Sequence, residues 1–361
     1  MDSVLSVPNQ FHGLDSINDD ILLAFLEHFT PGDLMRFSRL NHNYHTFIAQ
    51  YVASAFSVPR HLERFFPGAI YSDFRSLQAR TGAVVFGATA LNVFTRTYDD
   101  KCVLDVMVTL QQYGELSVWL QLRGFRYHEE DREDVDDDED VDVSSYYDDD
   151  SEYEDTPRPA DIGKFSNGVY TIHVWIARHT TLEKVIGSNL TCTMNFITAN
   201  DAISLYPHSS FHLGQVVRIR DANPAASEDF VNKYRRSGWS IIDNVPGVDR
   251  AYPRDDFYAD IEDETGIRCV GDGKCWIIPC VPNSRLTEHS VVRFIHSWNL
   301  EFTNEGAYSR FIVLRSEELR ERYIVSRNTT LRNVVRGLIH NPRDQYVQFQ
   351  LERYFESLHR Q

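Results

Sequence analysis

No stretch of this chain approaches the roughly twenty consecutive apolar residues that a helix needs to cross a bilayer. Residues 1–20 hold no basic-then-apolar leader either, so the expectation is a soluble protein of the cytoplasm or nucleus. Cysteine is sparse: five in 361 residues, at Cys102, Cys192, Cys269, Cys275 and Cys280. An odd number without a leader reads as reduced intracellular thiols rather than a disulfide framework. On that reading the sequons at Asn189 and Asn328 carry no weight. Cys269, Cys275 and Cys280 have five and four residues between them, unlike the paired spacings of zinc knuckles. His42 and His45 share a helix face at i, i+3 with no third ligand near in sequence. Neither a metal nor a cofactor is expected. The hydrolase elbow G-x-S-x-G, the zinc motif H-E-x-x-H and a phosphate loop are all missing, which excludes the enzyme classes built on them.

Charge is present but confined. The formal net charge is −17 from 53 acidic and 36 basic residues. Of these, 17 carboxylates and the single base Arg132 fall in residues 129–155, leaving 36 acids and 35 bases in the rest of the chain. A run of like charge with almost nothing apolar cannot offset its ordering entropy by burial. Residues 129–160 are therefore predicted to form a disordered surface loop. Repulsion by this loop argues against nucleic acid as a partner. Three roles stay open: an inert solvated insertion, long-range attraction of a basic partner, and modification by an acidophilic kinase at Ser145 or Ser151, each followed three residues later by an acid. The Asp/Asn/Gly spacing of a calcium loop is absent.

Ile17 to Ile48 carries the strongest periodic signal. Ile17, Ile21, Leu22, Phe25, Leu26 and Phe29 follow the spacing of a one-sided helix. Thr30-Pro31-Gly32-Asp33 stops it and opens another: Thr30 can cap, and Pro31 suits the first helical position because its missing donor costs nothing there. A short helix with Leu34, Met35 and Phe37 follows, then a third from about Asn41. Three helices in about forty residues bury little by themselves and need a partner. The segment resembles an F-box, through Ile17-Asn18, Ile21-Leu22, Phe25, the Thr30-Pro31-Gly32-Asp33-Leu34 turn, Ser38-Arg39 and Tyr44. Two positions depart from the pattern: Ile17-Asn18 replaces Leu-Pro, and Asn41 stands where the family often has cysteine. The resemblance implies docking on a Skp-type adaptor and, through it, a cullin, with an unspecified target protein. It assigns adaptor contact to Ile17, Ile21, Leu22, Phe25, Pro31, Leu34, Leu40 and Tyr44.

Further along, Val84 to Phe94 reads as strand, tight turn at Gly87-Ala88, and helix. Cys102 to Val108 is a strand with Asp105 in its middle, a helix follows over Gly114–Leu122, and Gly124 to Tyr127 leads as a strand into the acidic run. Strands are also read at Val169–Ile176, Met194–Ile197 and Ala202–Leu205. The acidic run thus lies in a strand-to-strand connection, where insertions cost little. Gly-small followed by an acid inside the next strand resembles the nucleotidyltransferase fold, in which a Gly-Ser turn approaches a triphosphate at a helix start. Carboxylates at i and i+2 of that strand, with a third from a later strand, hold two metal ions. Here the serine is Ala88, the i position is Val103, and the later strand offers Thr171, Ile172, His173 and Val174 without a carboxylate. The resemblance therefore implies no catalytic residues and a vestigial nucleotide pocket at Gly87, Ala88 and Asp105. With Thr191 to Thr198, Ser204-Leu205-Tyr206-Pro207, Lys233 to Trp239 and Gly271 to Trp276 in series, the chain resembles a group of fungal proteins. Members of that group join an F-box-like amino terminus to a nucleotidyltransferase-like body.

In the last third, Cys275–Ile278 and Val291–Ile295 read as strands, with Gly271-Asp272-Gly273-Lys274 as a hairpin turn feeding the first. Amphipathic helices are predicted over Leu331–Ile339 and Val347–Leu358, packed on the body. The expected fold is α+β: an F-box-like domain over 1–60, a nucleotidyltransferase-like α/β domain over 61–255, and a carboxy-terminal region of strands and two helices over 256–361. The function it implies is a non-enzymatic substrate receptor of a Skp–cullin–F-box ubiquitin ligase. The alternatives are a ligand-binding pseudo-nucleotidyltransferase and an active, metal-dependent one.

Overall fold

The structure is a computed structural model that describes residues 19–99, 101, 103–128, 162–177, 180–219, 224–242, 266–280, 296–303 and 306–313. Outside the described residues lie Ile17, Cys102, the acidic run 129–160 with Ser145 and Ser151, Asn328, the strand expected at 291–295 and both carboxy-terminal helices. The chain divides into two compact units, Met1–Ser54 and Ala55–Gln361.

In the first unit, α1 (Asp19–Leu26), α2 (Pro31–Ser38) and α3 (His42–Ala55) follow one another through short turns. Leu22, Leu26, Leu34, Phe37, Ile48 and Tyr51 are buried. The turn before α2 is a capping box: Thr30 Oγ1 accepts from the Asp33 amide at 3.2 Å, and Asp33 Oδ2 accepts from the Thr30 amide at 3.3 Å. Asn41 opens α3, its Oδ1 accepting from the Tyr44 amide at 2.8 Å. The side chain that departs from the F-box pattern thus has a local use that cysteine does not supply. An aromatic file runs through the unit, with ring centroids 4.8 Å apart for Phe25–Phe29, 5.8 Å for Phe29–Phe37 and 4.7 Å for Phe37–Tyr44.

The second unit is built on an eight-stranded mixed sheet. In chain order its elements are α4 (Val58–Leu62), α5 (Ala69–Thr81), β1 (Val84–Phe86), α6 (Gly87–Thr95), β2 (Leu104–Thr109), α7 (Leu110–Leu122), β3 (Arg126–His128), β4 (Ile162–Ser166) and β5 (Thr171–Ala177). There follow α8 (Glu183–Ile186), β6 (Asn195–Ile197), β7 (Asp201–Ser204), a short π-helix (His208–Leu213), β8 (Gln215–Val217), α9 (Pro224–Arg236) and β9 (Ser240–Ile242). Last come β10 (Gly266–Cys269), β11 (Trp276–Pro279), β12 (His296–Thr303) and β13 (Gly306–Val313). The strand order is β11-β7-β6-β1-β2-β5-β4-β3, and β2–β5 is its parallel pair. Smaller sheets join β10-β12-β13 and β8-β9. Residues 129–161 connect the antiparallel neighbours β3 and β4. The α+β class and mixed sheet are those expected. Among the described residues no helix is long and apolar enough to cross a membrane.

The two faces of the large sheet differ. On one, Val85, Val106, Val174 and Gly163 stand in register, and Gly163 is bare because a Cβ there would lie 2.5 Å from the Tyr113 hydroxyl of α7. Polar side chains fasten α5 to the chain ends of β1 and β6. Gln78 Nε2 donates to the carbonyls of Ala83 (3.2 Å) and Ile197 (3.1 Å), and Arg75 Nη2 to those of Thr198 (2.7 Å) and Ala199 (2.6 Å). The other face carries one row across the sheet: Ile203, Phe196, Phe86, Asp105, His173, Lys164 and His128. Its apolar half, with Val84 and Leu205, packs against Tyr206, Val270, Trp298 and Leu300. Its polar half is partly open, with Asp105 and His173 half-buried and Lys164 exposed.

One expectation is corrected here. Gly271 to Lys274 does not close a hairpin, because β10 pairs with β12 in the small sheet and β11 with β7 in the large one. The buried Arg268 guanidinium lies against both the Tyr206 and the Trp298 ring, 5.3 Å from each centroid. It donates to Asp272 through Nε at 2.6 Å and Nη2 at 3.0 Å. Asp272 Oδ1 also accepts from the amides of Lys274 (3.0 Å) and Cys275 (3.1 Å). A buried cation needs its counter-ion and its donors satisfied together. Asp272 supplies that counter-ion in the turn between β10 and β11, where the chain passes from one sheet to the other.

Candidate functional site

The polar half of the row is the candidate site of the body. β1 ends at Phe86, and the chain turns into α6 through Gly87 at φ +69°. That left-handed conformation favours glycine, and space imposes the same choice: a Cβ on Gly87 would lie 2.6 Å from Asp105 Oδ2. Strand pairing brings the two together, since Phe86 is opposite Asp105 and Asp105 opposite His173. The close approach allowed by the glycine is thus taken up by a carboxylate of the protein itself. Ala88 follows as the second residue of α6 and is half-buried.

Asp105 is held from β5. Trp175 Nε1 donates to Asp105 Oδ1 at 3.0 Å, and His173 Nδ1 stands 3.4 Å from the same oxygen. The Trp175 indole is bounded by the Phe86 ring at 6.0 Å and an angle of 69°, and by Lys184 Nζ 5.5 Å from its centroid. Tyr234 of α9 lies in the core with Leu91, Cys192 and Val231, and its pKa is raised, chiefly by burial and further by the charges of Cys192 and Asp105. This face of the sheet therefore offers one carboxylate, one imidazole and an indole donor, with Lys164 and Lys184 beside them. Sequence reading placed Gly87, Ala88 and Asp105 together, and the structure does so as well. It missed His173 and Trp175 as partners of Asp105. The alternation of Val169–Ile176 marked the strand but carries nothing about which strand lies beside it.

Among the described residues no group of three or more His, Cys, Asp or Glu is placed to share an ion. Burial pushes the thiols of Cys269 and Cys275 up to about 12.

A second candidate surface lies on the first unit. Of the residues assigned to adaptor contact, Ile21, Phe25 and Leu40 are exposed, at 63%, 52% and 63%. Leu22 and Leu34 are buried, and Pro31 and Tyr44 are half-buried. Leu23 and Met35 are exposed too and belong to the outward apolar set that the sequence pattern passed over. The missing signal was burial, because a run such as Ile21-Leu22-Leu23 shows three apolar residues without saying which one turns inward. No protein-family model, no curated protein and no solved structure matches this chain.

Proposed function

We propose that the chain is an F-box-type interaction protein: its first unit docks on a Skp-type adaptor, and its body serves as a non-catalytic recognition domain of a ubiquitin-ligase receptor. The observation that carries this reading is the outward set Ile21, Leu23, Phe25, Met35 and Leu40 on α1, α2 and the turn after α2. A unit this small has its own buried side chains and still leaves five large apolar ones in water, a composition that favours a protein partner. The F-box resemblance supplies the partner class. In the body, Asp105 without a second carboxylate at Val103 supports the non-catalytic reading, since two-metal chemistry needs both.

Leu34 is a poor place to test this, because Leu34→Asp would put a charge into a side chain that is 1% exposed. Ile21→Asp and Leu40→Asp act from the surface. The full chain is co-expressed with a Skp-type adaptor and run on size-exclusion chromatography. Wild type is expected to co-elute, and each variant to elute alone with an unchanged circular dichroism spectrum. Co-elution of both variants, or separate elution of the wild type, refutes the reading. A second reading, a ligand-binding pseudo-nucleotidyltransferase, has the glycine turn at the start of α6 in its favour and the Asp105 carboxylate, which fills the open side of Gly87, against it.

A further inference from the structure

We propose that the outer face of α7 is an interface between two copies of this chain, their helices crossing antiparallel about a two-fold axis between Gly114 and Val118. This does not rest on adaptor docking, because α7 belongs to the second unit. The inner face of the helix is already packed: Leu116 and Leu120 are buried, and the Trp119 ring stands 5.3 Å from Phe66 and 5.8 Å from Phe74. Outward, Leu110, Val118 and Leu122 are exposed at 61%, 58% and 73%, and with exposed Gly114 they form one i, i+4 row. A solvated helix face normally carries charge. Here the other exposed residues are Gln111, Glu115 and Gln121, and the single carboxylate is taken by Arg80 at 2.6 Å.

Gly114 points the same way. A glycine inside a helix weakens it relative to alanine. Gly114 has no left-handed backbone to require it, and a Cβ there would meet nothing within 4 Å. One copy of the chain gives no reason for glycine at this position, whereas the close approach of a second helix does. The occupant follows from the symmetry of the row. A two-fold seam sets each residue against the one equally far beyond the axis, and the reverse. Centred between Gly114 and Val118, it sets Leu110 against Leu122 of the second copy, Gln111 against Gln121, and Val118 over Gly114. Apolar meets apolar, amide meets amide with donors and acceptors to exchange, and the gap at Gly114 receives the branched side chain. No like charges are brought together, since Glu115 is engaged by Arg80. A 13-residue helix is about 20 Å long, so the seam buries less than the roughly 1,200 Å² of a standard interface, and a dissociation constant on the order of 10 μM is expected.

The test sediments the full chain from about 1 to about 200 μM in about 0.3 M NaCl, which screens the acidic runs of two copies from one another. A monomer–dimer equilibrium is expected. Val118→Asp and Gly114→Leu should each weaken it by about tenfold or more with an unchanged circular dichroism spectrum, because both positions are exposed. Charge tests the register: Gln111→Lys with Gln121→Lys should weaken the dimer, whereas Gln111→Lys with Gln121→Glu should retain or tighten it. A chain that stays monomeric throughout overturns the proposal; if Val118→Asp then also lowers the melting temperature, another segment of the chain covers this face. A dimer that Val118→Asp leaves intact, or one that responds alike to the two charge pairs, overturns it as well.

Discussion

Replacing Gly87 by alanine tests whether Asp105, rather than an approaching ligand, is the reason for glycine at this turn. The left-handed backbone costs an alanine about 1–2 kcal/mol. The new methyl would also meet Asp105 Oδ2 at 2.6 Å, and that carboxylate is tied to Trp175, so it cannot swing away freely. Overpacking of this kind costs about 1–3 kcal/mol. Gly87→Ala should therefore destabilise the body by about 2–5 kcal/mol. In an Asp105→Ala background only the backbone cost remains, so the same change should cost about 1–2 kcal/mol. The two backgrounds should thus differ by about 1–3 kcal/mol, well beyond the roughly 0.5 kcal/mol within which independent sites add. Tryptophan fluorescence during urea unfolding isolates the body, because all five tryptophans lie in residues 55–361. Equal costs in the two backgrounds would refute the contact as the reason for Gly87.

Two further outcomes can be checked on the full chain. His61 is buried, and burial first, with the charges of Arg64 and Arg60 second, lowers its pKa from 6.5 to about 4. Its stabilising contribution is thus present above pH 6.5 and lost as the pH falls towards 4, where the unfolded chain takes up the proton first. The fall in melting temperature between pH 7.5 and 5 should shrink in His61→Gln, and an unchanged fall would contradict the assignment. Deleting residues 129–155, between β3 and β4, should leave the melting temperature within a degree or two; a large drop would mean that the acidic run helps to hold the fold.

Local chemistry made much of the architecture legible. Thr30-Pro31 announced α2, and the structure closes that cap through Asp33. Small residues after a β-branched run announced the β1–α6 turn. The same reasoning failed at Gly271 to Lys274, where glycine spacing suited a hairpin. The burial of Arg268 beside Asp272, set by contacts with Tyr206 and Trp298 from elsewhere in the chain, decided otherwise.

By itself the sequence determined the helices of the first unit, the β1–α6 turn, the α+β class and the confinement of charge to one segment. Each follows from interactions within a few residues or within one strand-turn-helix unit. Tertiary structure alone decided that His173 and Trp175 are the partners of Asp105, and that Ile21 and Leu40 face outward while Leu22 and Leu34 do not. Strand register and burial are set by chain segments far apart in sequence, so periodicity can show that a face exists but not what lies against it.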